Sequence, residues 1–176
     1  MRAAAILAGT AIAAAAPTSA HAGELFGGLY VHDVKLPTNL SGIEGGMDVQ
    51  LGYRGGGLFR LWRAQVQPYL FAAVNTAGNT NYGAVGLSAK FPLGHQWYFR
   101  PGLGVAIQTG SSGKFYRTDK IAFGSRVLFE PELNLGTRIS DRLSIEASWV
   151  HMSHAQLRGR ENPGIDNLGL RLNLAL

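Results

Sequence analysis

The chain has 176 residues, a length that suggests one domain. Only 15% of them are charged, against about 25% in an ordinary soluble domain, and none is cysteine, which excludes disulfide and thiol chemistry. The net charge of +5 comes without an arginine-rich helix or a nucleic-acid motif, so nucleic acid is not an expected partner and an anionic membrane surface is the better use of it.

In chain order, the first feature is a leader. Arg2 gives the positive start, residues 3–16 are Ala-rich and apolar, and Ala20-His21-Ala22 fits the small-x-small rule. Residues 1–22 therefore read as a secretory signal peptide, and residues 23–176 as the mature domain. Beyond residue 22 there is no apolar run of about 18 residues, so no mature transmembrane helix is expected.

The mature domain is dominated by alternation, the period-2 signature of strands. Eight segments carry it, at about 25–34, 44–54, 66–75, 82–91, 97–108, 121–137, 142–152 and 165–176. Most come near the roughly 9–11 residues that a tilted strand needs to cross a bilayer, and eight satisfies the even count of bacterial membrane barrels. The sixth segment sets Phe123, Val127, Phe129, Leu133 and Leu135 against Gly124, Arg126, Glu130, Glu132 and Asn134. In the seventh, Leu143, Ile145, Ala147 and Trp149 alternate with Ser144, Glu146 and Ser148; in the eighth, even-numbered leucines from Leu168 to Leu176 alternate with Gly169, Arg171 and Asn173.

Connections 92–96 and 138–141 are short, whereas 35–43, 108–120 and 153–164 are long and polar, which matches short periplasmic turns and longer outer loops. The connection 55–65 is long for an inner turn, and its Leu58, Phe59, Leu61 and Trp62 suit the inner interface. A soluble lipocalin-like barrel would turn the apolar face inward. The leader and the aromatics near strand ends (Tyr53, Tyr82, Trp97, Trp149) favour the membrane version. The expected fold is an all-β, eight-stranded antiparallel transmembrane β-barrel. Its polar interior is filled by side chains such as Arg126, Glu130, Glu132, Glu146 and Arg171, and so is not a pore.

Chemistry concentrates near the C-terminus. Strand residues two apart share a face and lie roughly 6.6 Å apart, so His151 and Ser153 project together, on the lipid side with Trp149. Asp166 shares the parity of the outward leucines of the last segment. A register that opposes 151 to 166 also opposes Trp149 to Leu168, Ala147 to Leu170 and Ile145 to Leu172, and pairs Glu146 with Arg171 inside. Shifts of two residues preserve the faces, so the register is an expectation. A serine nucleophile needs a base, and the base an orienting acid; Ser153, His151 and Asp166 supply those types on one surface. The competing reading is that polar residues merely end a strand at the headgroups. His151 and His154 are three apart and face opposite ways, so a zinc site is not expected, and no cofactor is required. Residues 110–114 (Gly-Ser-Ser-Gly-Lys) are not a phosphate loop, because Gln108 and Phe115 stand where glycine and Ser/Thr are needed. Lys114, Arg117, Lys120, Arg158 and Arg160 fall in outer loops, within reach of lipid phosphates.

The stretch His151-Met-Ser153 with Ala155, then Asn162-x-Gly164-Ile165-Asp166, resembles the PagL-type lipid A 3-O-deacylase family; Val74-Asn75-Thr76-Ala77-Gly78 and Gly124-Ser125-Arg126-Val127-Leu128-Phe129 extend the likeness. The resemblance implies an eight-stranded outer-membrane barrel that hydrolyses the 3-position ester of lipid A. It makes Ser153 the nucleophile, His151 the base and Asp166 the acid, with Asn162 helping at the oxyanion. Departures are His154 where the family commonly has asparagine, a histidine-to-acid spacing one residue longer, and aspartate for glutamate. The expected partner is lipid A or lipopolysaccharide at the outer leaflet, with room for a homodimer. The alternatives are a non-enzymatic small outer-membrane barrel, such as an adhesin or inactive relative, and an esterase acting on another membrane lipid.

Overall fold

Alternating side chains make a sheet with two unlike faces, and the computed structural model closes that sheet on itself. It describes residues 23–38, 42–113, 119–157 and 162–176. The leader 1–22 and the loop cations Lys114, Arg117, Arg158 and Arg160 lie outside the described residues. The strands are β1 (Glu24–Val31), β2 (Met47–Arg54), β3 (Phe59–Leu61), β4 (Ala64–Asn75), β5 (Tyr82–Pro92), β6 (Trp97–Gln108), β7 (Val127–Arg138), β8 (Leu143–Met152) and β9 (Ile165–Ala175). Every neighbouring pair is antiparallel; β1 joins β9 to β2, and a β2–β4 pairing closes eight strands into a barrel. Closure gives each of these eight strands a partner on both sides, a condition for standing in lipid. β3 is an added short strand on the start of β4, pairing Phe59 with Val66 and Leu61 with Ala64.

The two faces invert the order of a soluble protein. Leu51, Leu70, Val85, Leu103, Ile107 and Leu170 are exposed outside, while Arg54, Arg100 and Arg171 are fully buried inside. A buried guanidinium is tolerable only when paired. Arg54 lies 2.5 Å from Glu24, Arg100 contacts Glu24 and lies 3.1 Å from Glu146, and Arg171 lies 3.0 Å from Glu132. Tyr30 accepts from Arg171 Nε at 3.0 Å, and Tyr69 donates to Glu130. The interior is thus filled, as expected, by Glu130, Glu132, Glu146 and Arg171. Arg126 is a correction: it is exposed ahead of β7 and donates to the Gln108 carbonyl, because β7 begins at 127 and not at 121. Lumen room is tight enough to need glycine. A Cβ at Gly136 would run into the Tyr98 ring, and one at Gly169 into Tyr30.

Residues 121–123 do not extend the wall. Gly124 has φ +69, the Ser125 hydroxyl turns back to the Val127 carbonyl, and Ile121 and Phe123 are buried with Tyr82, Leu128, Met152 and Ile165. They stop one end of the barrel with apolar side chains. At that end His32 is the hub of a buried clasp. His32 Nδ1 lies 2.8 Å from Asp48 and Nε2 lies 3.2 Å from Glu44, whose carboxylate also accepts the Thr80 and Ile121 amides. Burial alone would lower the His32 pKa, but hydrogen bonds to Asp48 and Glu44 outweigh it and hold it up at about 9. Glu44 is held down at about 2: burial opposes ionisation, and His32 with the two amides overcomes it. Asp33 Oδ2 accepts the amides of residues 42, 43 and 44, so the segment after β1 is pinned at several points.

Candidate active site

The end of β8 and the start of β9 meet in a register that opposes His151 to Asp166, Trp149 to Leu168, Ala147 to Leu170, Ile145 to Leu172 and Glu146 to Arg171. This is the pairing expected from the alternation. It sets His151 Nδ1 2.9 Å from Asp166 Oδ1. Ser153 continues the strand by one isolated bridge, exchanging backbone hydrogen bonds with Phe129 at 2.8 and 3.1 Å. Phe129 is exposed on the outer wall, so the bridge turns Ser153 outward with His151. Among the described residues no hydrogen bond joins the Ser153 hydroxyl to His151, and His151 Nε2 has no partner. Such contacts commonly tighten only when substrate is bound.

Parity predicts lipid exposure for His151 and Asp166, yet both are buried, Asp166 completely. The cover comes from three sides. Thr38, in the segment after β1, donates its hydroxyl to Asp166 Oδ2 at 2.6 Å. Trp149 donates its indole N–H to Asp166 Oδ1 at 2.8 Å and stacks on the His151 ring, with centroids 5.8 Å apart and planes 23° apart. Gly164, at φ +67, lies against the other edge of that ring; a Cβ there would sit 3.1 Å from His151 Cε1. Asp166 therefore accepts three side-chain donors away from water, which is how an outward-facing carboxylate can stay ionised beside lipid. The covering segment is tied to β9 a second way, through Val34 N to the Asp166 carbonyl at 2.7 Å and Asp33 N to Asn167 Oδ1 at 2.9 Å.

Asn162 lies half-buried just before this strand. Its Oδ1 accepts the His154 amide at 3.0 Å, which leaves its NH₂ group to donate elsewhere. Ala155 and Gln156 take φ of +50 and +59, turning the chain sharply away after the serine. Beside Ser153, on the outer wall, lies an apolar depression of about 200 Å³ lined by Val105, Val127, Phe129, His154 and Leu157. Among the described residues no cluster of His, Cys, Asp and Glu could hold a metal ion.

Sequence reading singled out His151, Ser153, Asp166 and Asn162 as candidates, and the structure joins the first to the third directly. It missed Thr38 and the hydrogen bond from Trp149. Trp149 was legible as an outward neighbour of His151, one pleat away. Thr38 reaches Asp166 across 128 residues of sequence, from a loop without periodicity, and left no signal.

A family model for "Lipid A 3-O-deacylase (PagL)" matches residues 24–175. Among solved structures, the crystal structure of the outer membrane enzyme PagL superposes with a TM-score of 0.56 at 19% identity, covering 86% of this chain and 99% of that one. Neisserial surface protein A (NspA) superposes with a TM-score of 0.54 at 8% identity, covering 88% and 97%. At those identities the two structures speak to the fold. No curated protein matches the chain.

Proposed function

We propose a mechanism from the premise that this chain belongs to the PagL family of lipid A 3-O-deacylases, hydrolases of the outer membrane: Ser153 is its nucleophile, His151 its base and Asp166 its acid. The observation that carries this reading is the buried Asp166–His151 pair on the outer wall, held by Thr38 and Trp149. With Nδ1 engaged by Asp166, the proton-accepting nitrogen of the imidazole is Nε2, on the side left for the serine hydroxyl.

His151 Nε2 takes the Ser153 proton as the oxygen attacks the carbonyl carbon of the 3-position ester. The tetrahedral oxyanion is steadied by donors near Asn162, whose NH₂ remains available. The sugar hydroxyl leaves with the proton from His151, and the acyl group stays on Ser153. Water then gives its proton to His151, attacks the acyl-serine and releases the fatty acid, which restores the serine. Asp166 keeps the ring oriented and balances its charge while it is protonated. The apolar depression beside Ser153 is the seat proposed for the acyl chain leaving lipid A. Residues 1–22 are proposed to be removed on export, and the site to face the outer leaflet, at the end opposite the short turns. A homodimer would cover part of the outer apolar band, and the mass of the protein in detergent reads it.

Mass spectrometry of lipid A from cells with and without the protein tests the activity. Loss of one 3-hydroxy fatty acid is the expected result, and a Ser153→Ala variant should insert normally and leave lipid A intact. An active Ser153→Ala variant would remove the proposed nucleophile. Release from phospholipid in place of lipid A would move the substrate to another membrane lipid.

A further inference from the structure

The β3–β4 hairpin has no part in the deacylase reading. It projects past the end of β2, at the end of the barrel that carries both termini of the domain and the short turns. Its pleat separates two chemistries. Phe59 and Leu61 share the outward face with exposed Leu58 nearby, and Trp62 at the turn is 90% exposed. Arg60 points the other way, in one cross-strand row with Gln65 and Lys90. That row lines a cleft of about 340 Å³ with Arg63, His95, Tyr98 and Arg138. The volume falls within the roughly 300–1,000 Å³ of small-ligand sites.

Four cationic side chains, Arg60, Arg63, Lys90 and Arg138, therefore converge there, and among the described residues none of them forms an ion pair with a carboxylate. Lys90 lies over the Tyr98 ring at 4.1 Å, and Arg138 donates to the His95 carbonyl. The lumen a few residues away pairs its arginines with glutamates; this cluster is left for an anion from outside. We infer that the cleft holds the phosphodiester headgroup of an anionic glycerophospholipid, with its acyl chains along the apolar face of the same hairpin. A free phosphate would use the cations alone and make no use of Phe59, Leu61 and Trp62. A lipid satisfies both faces, and arginine binds phosphate oxygens in pairs. The leaflet concerned is set by the orientation proposed for the catalytic site; the ligand chemistry stands apart from the catalytic reading.

The test uses protein purified from the outer membrane in neutral detergent and titrated with phosphatidylglycerol, phosphatidylcholine or inorganic phosphate, read by native mass spectrometry. One phosphatidylglycerol should remain bound, about tenfold or more tighter than phosphatidylcholine, as expected for several cations near one anionic headgroup. The Arg60→Gln/Arg63→Gln/Lys90→Gln variant should fall to the phosphatidylcholine level while keeping heat-modifiable migration and wild-type deacylation. Arg63→Gln alone, at the exposed turn, carries the test if the triple variant does not fold, and should weaken phosphatidylglycerol selectively. Ser153→Ala should bind phosphatidylglycerol like wild type, which separates this result from any failure of the catalytic reading. Equal binding of the two lipids, retention of phosphatidylglycerol by the folded variants, or its displacement by millimolar phosphate would overturn the inference.

Discussion

In the proposed mechanism Asp166 is the residue on which the site turns, because one carboxylate holds three donors. Its bond from Thr38 is charge-assisted, a class worth about 1.5–3 kcal/mol. Thr38→Val keeps the shape of the side chain and removes that donor. It should lower kcat by about 10- to 100-fold with KM little changed, and Thr38→Ser should restore most of the rate. If both variants fall equally, Thr38 shapes the loop and does not position the acid. Asp166→Asn removes the charge that orients the imidazole. In a hydrolytic triad that change costs on the order of 10⁴-fold, so steady-state deacylation should fall by about that order while the barrel still migrates as folded. Gly164→Ala forces a Cβ against the His151 ring at a φ of +67. A destabilisation of about 1–2 kcal/mol in unfolding titrations, with loss of activity, is expected.

At the scale of elements, the segment after β1 matters because it carries Thr38, and the His32 clasp pins it. The charged and titratable groups around His32 are Glu44 on the same segment and Asp48 on β2, with the Tyr82 hydroxyl from β5 donating to Asp48. His32 has a folded-state pKa of about 9 against an ordinary 6.5, so its stabilisation is complete below pH 6.5 and is lost as pH rises through 9. Glu44, at about 2 against 4.5, contributes above pH 4.5 and loses its contribution as pH falls toward 2. The two shifts describe one shared interaction and do not add. Thermal stability should therefore decline between pH 6.5 and 9, and His32→Gln should flatten that slope at a lower overall stability. An unchanged slope in His32→Gln would assign the alkaline decline elsewhere. Elements were legible where lipid outside and charge inside force strict alternation, as in β8 and β9. They were illegible where that contrast ends. Residues 121–126 carry Phe123 in the right parity, yet Gly124 and Ser125 turn it into a plug. β3 is a three-residue strand behind Gly55, Gly56 and Gly57, too short to show a period.

For the whole molecule, the decisive contrast is a charged, packed interior inside an apolar wall. The sign of that inversion was readable from composition and alternation together, and Glu146 with Arg171 was readable as a cross-strand pair. The other members were not. Glu24, Arg54 and Arg100 meet across the lumen from β1, β2 and β6, and no local pattern announces contacts through the axis of a barrel. With the lumen filled, protein in a planar bilayer should pass no steady ionic current; porin-sized conductance would contradict the packing. Arg171→Met leaves Glu132 and Glu146 short of a cation in a buried site. It should destabilise the barrel by about 3–5 kcal/mol in urea titration, with reduced yield of folded protein.

The pairing of His151 with Asp166 is made by the same ladder of hydrogen bonds that closes the wall. A barrel whose last two strands slipped by two residues would keep leucines toward lipid and would still insert. It would set Leu168 in place of Asp166 opposite His151, and the imidazole would lose its acid. Under the proposed mechanism such a molecule is catalytically silent, although it looks correct to every measure of hydrophobicity or membrane insertion. Turnover is then a proofreading signal for assembly: the fraction of active enzyme in a refolded sample counts the molecules whose strands came together in the right frame.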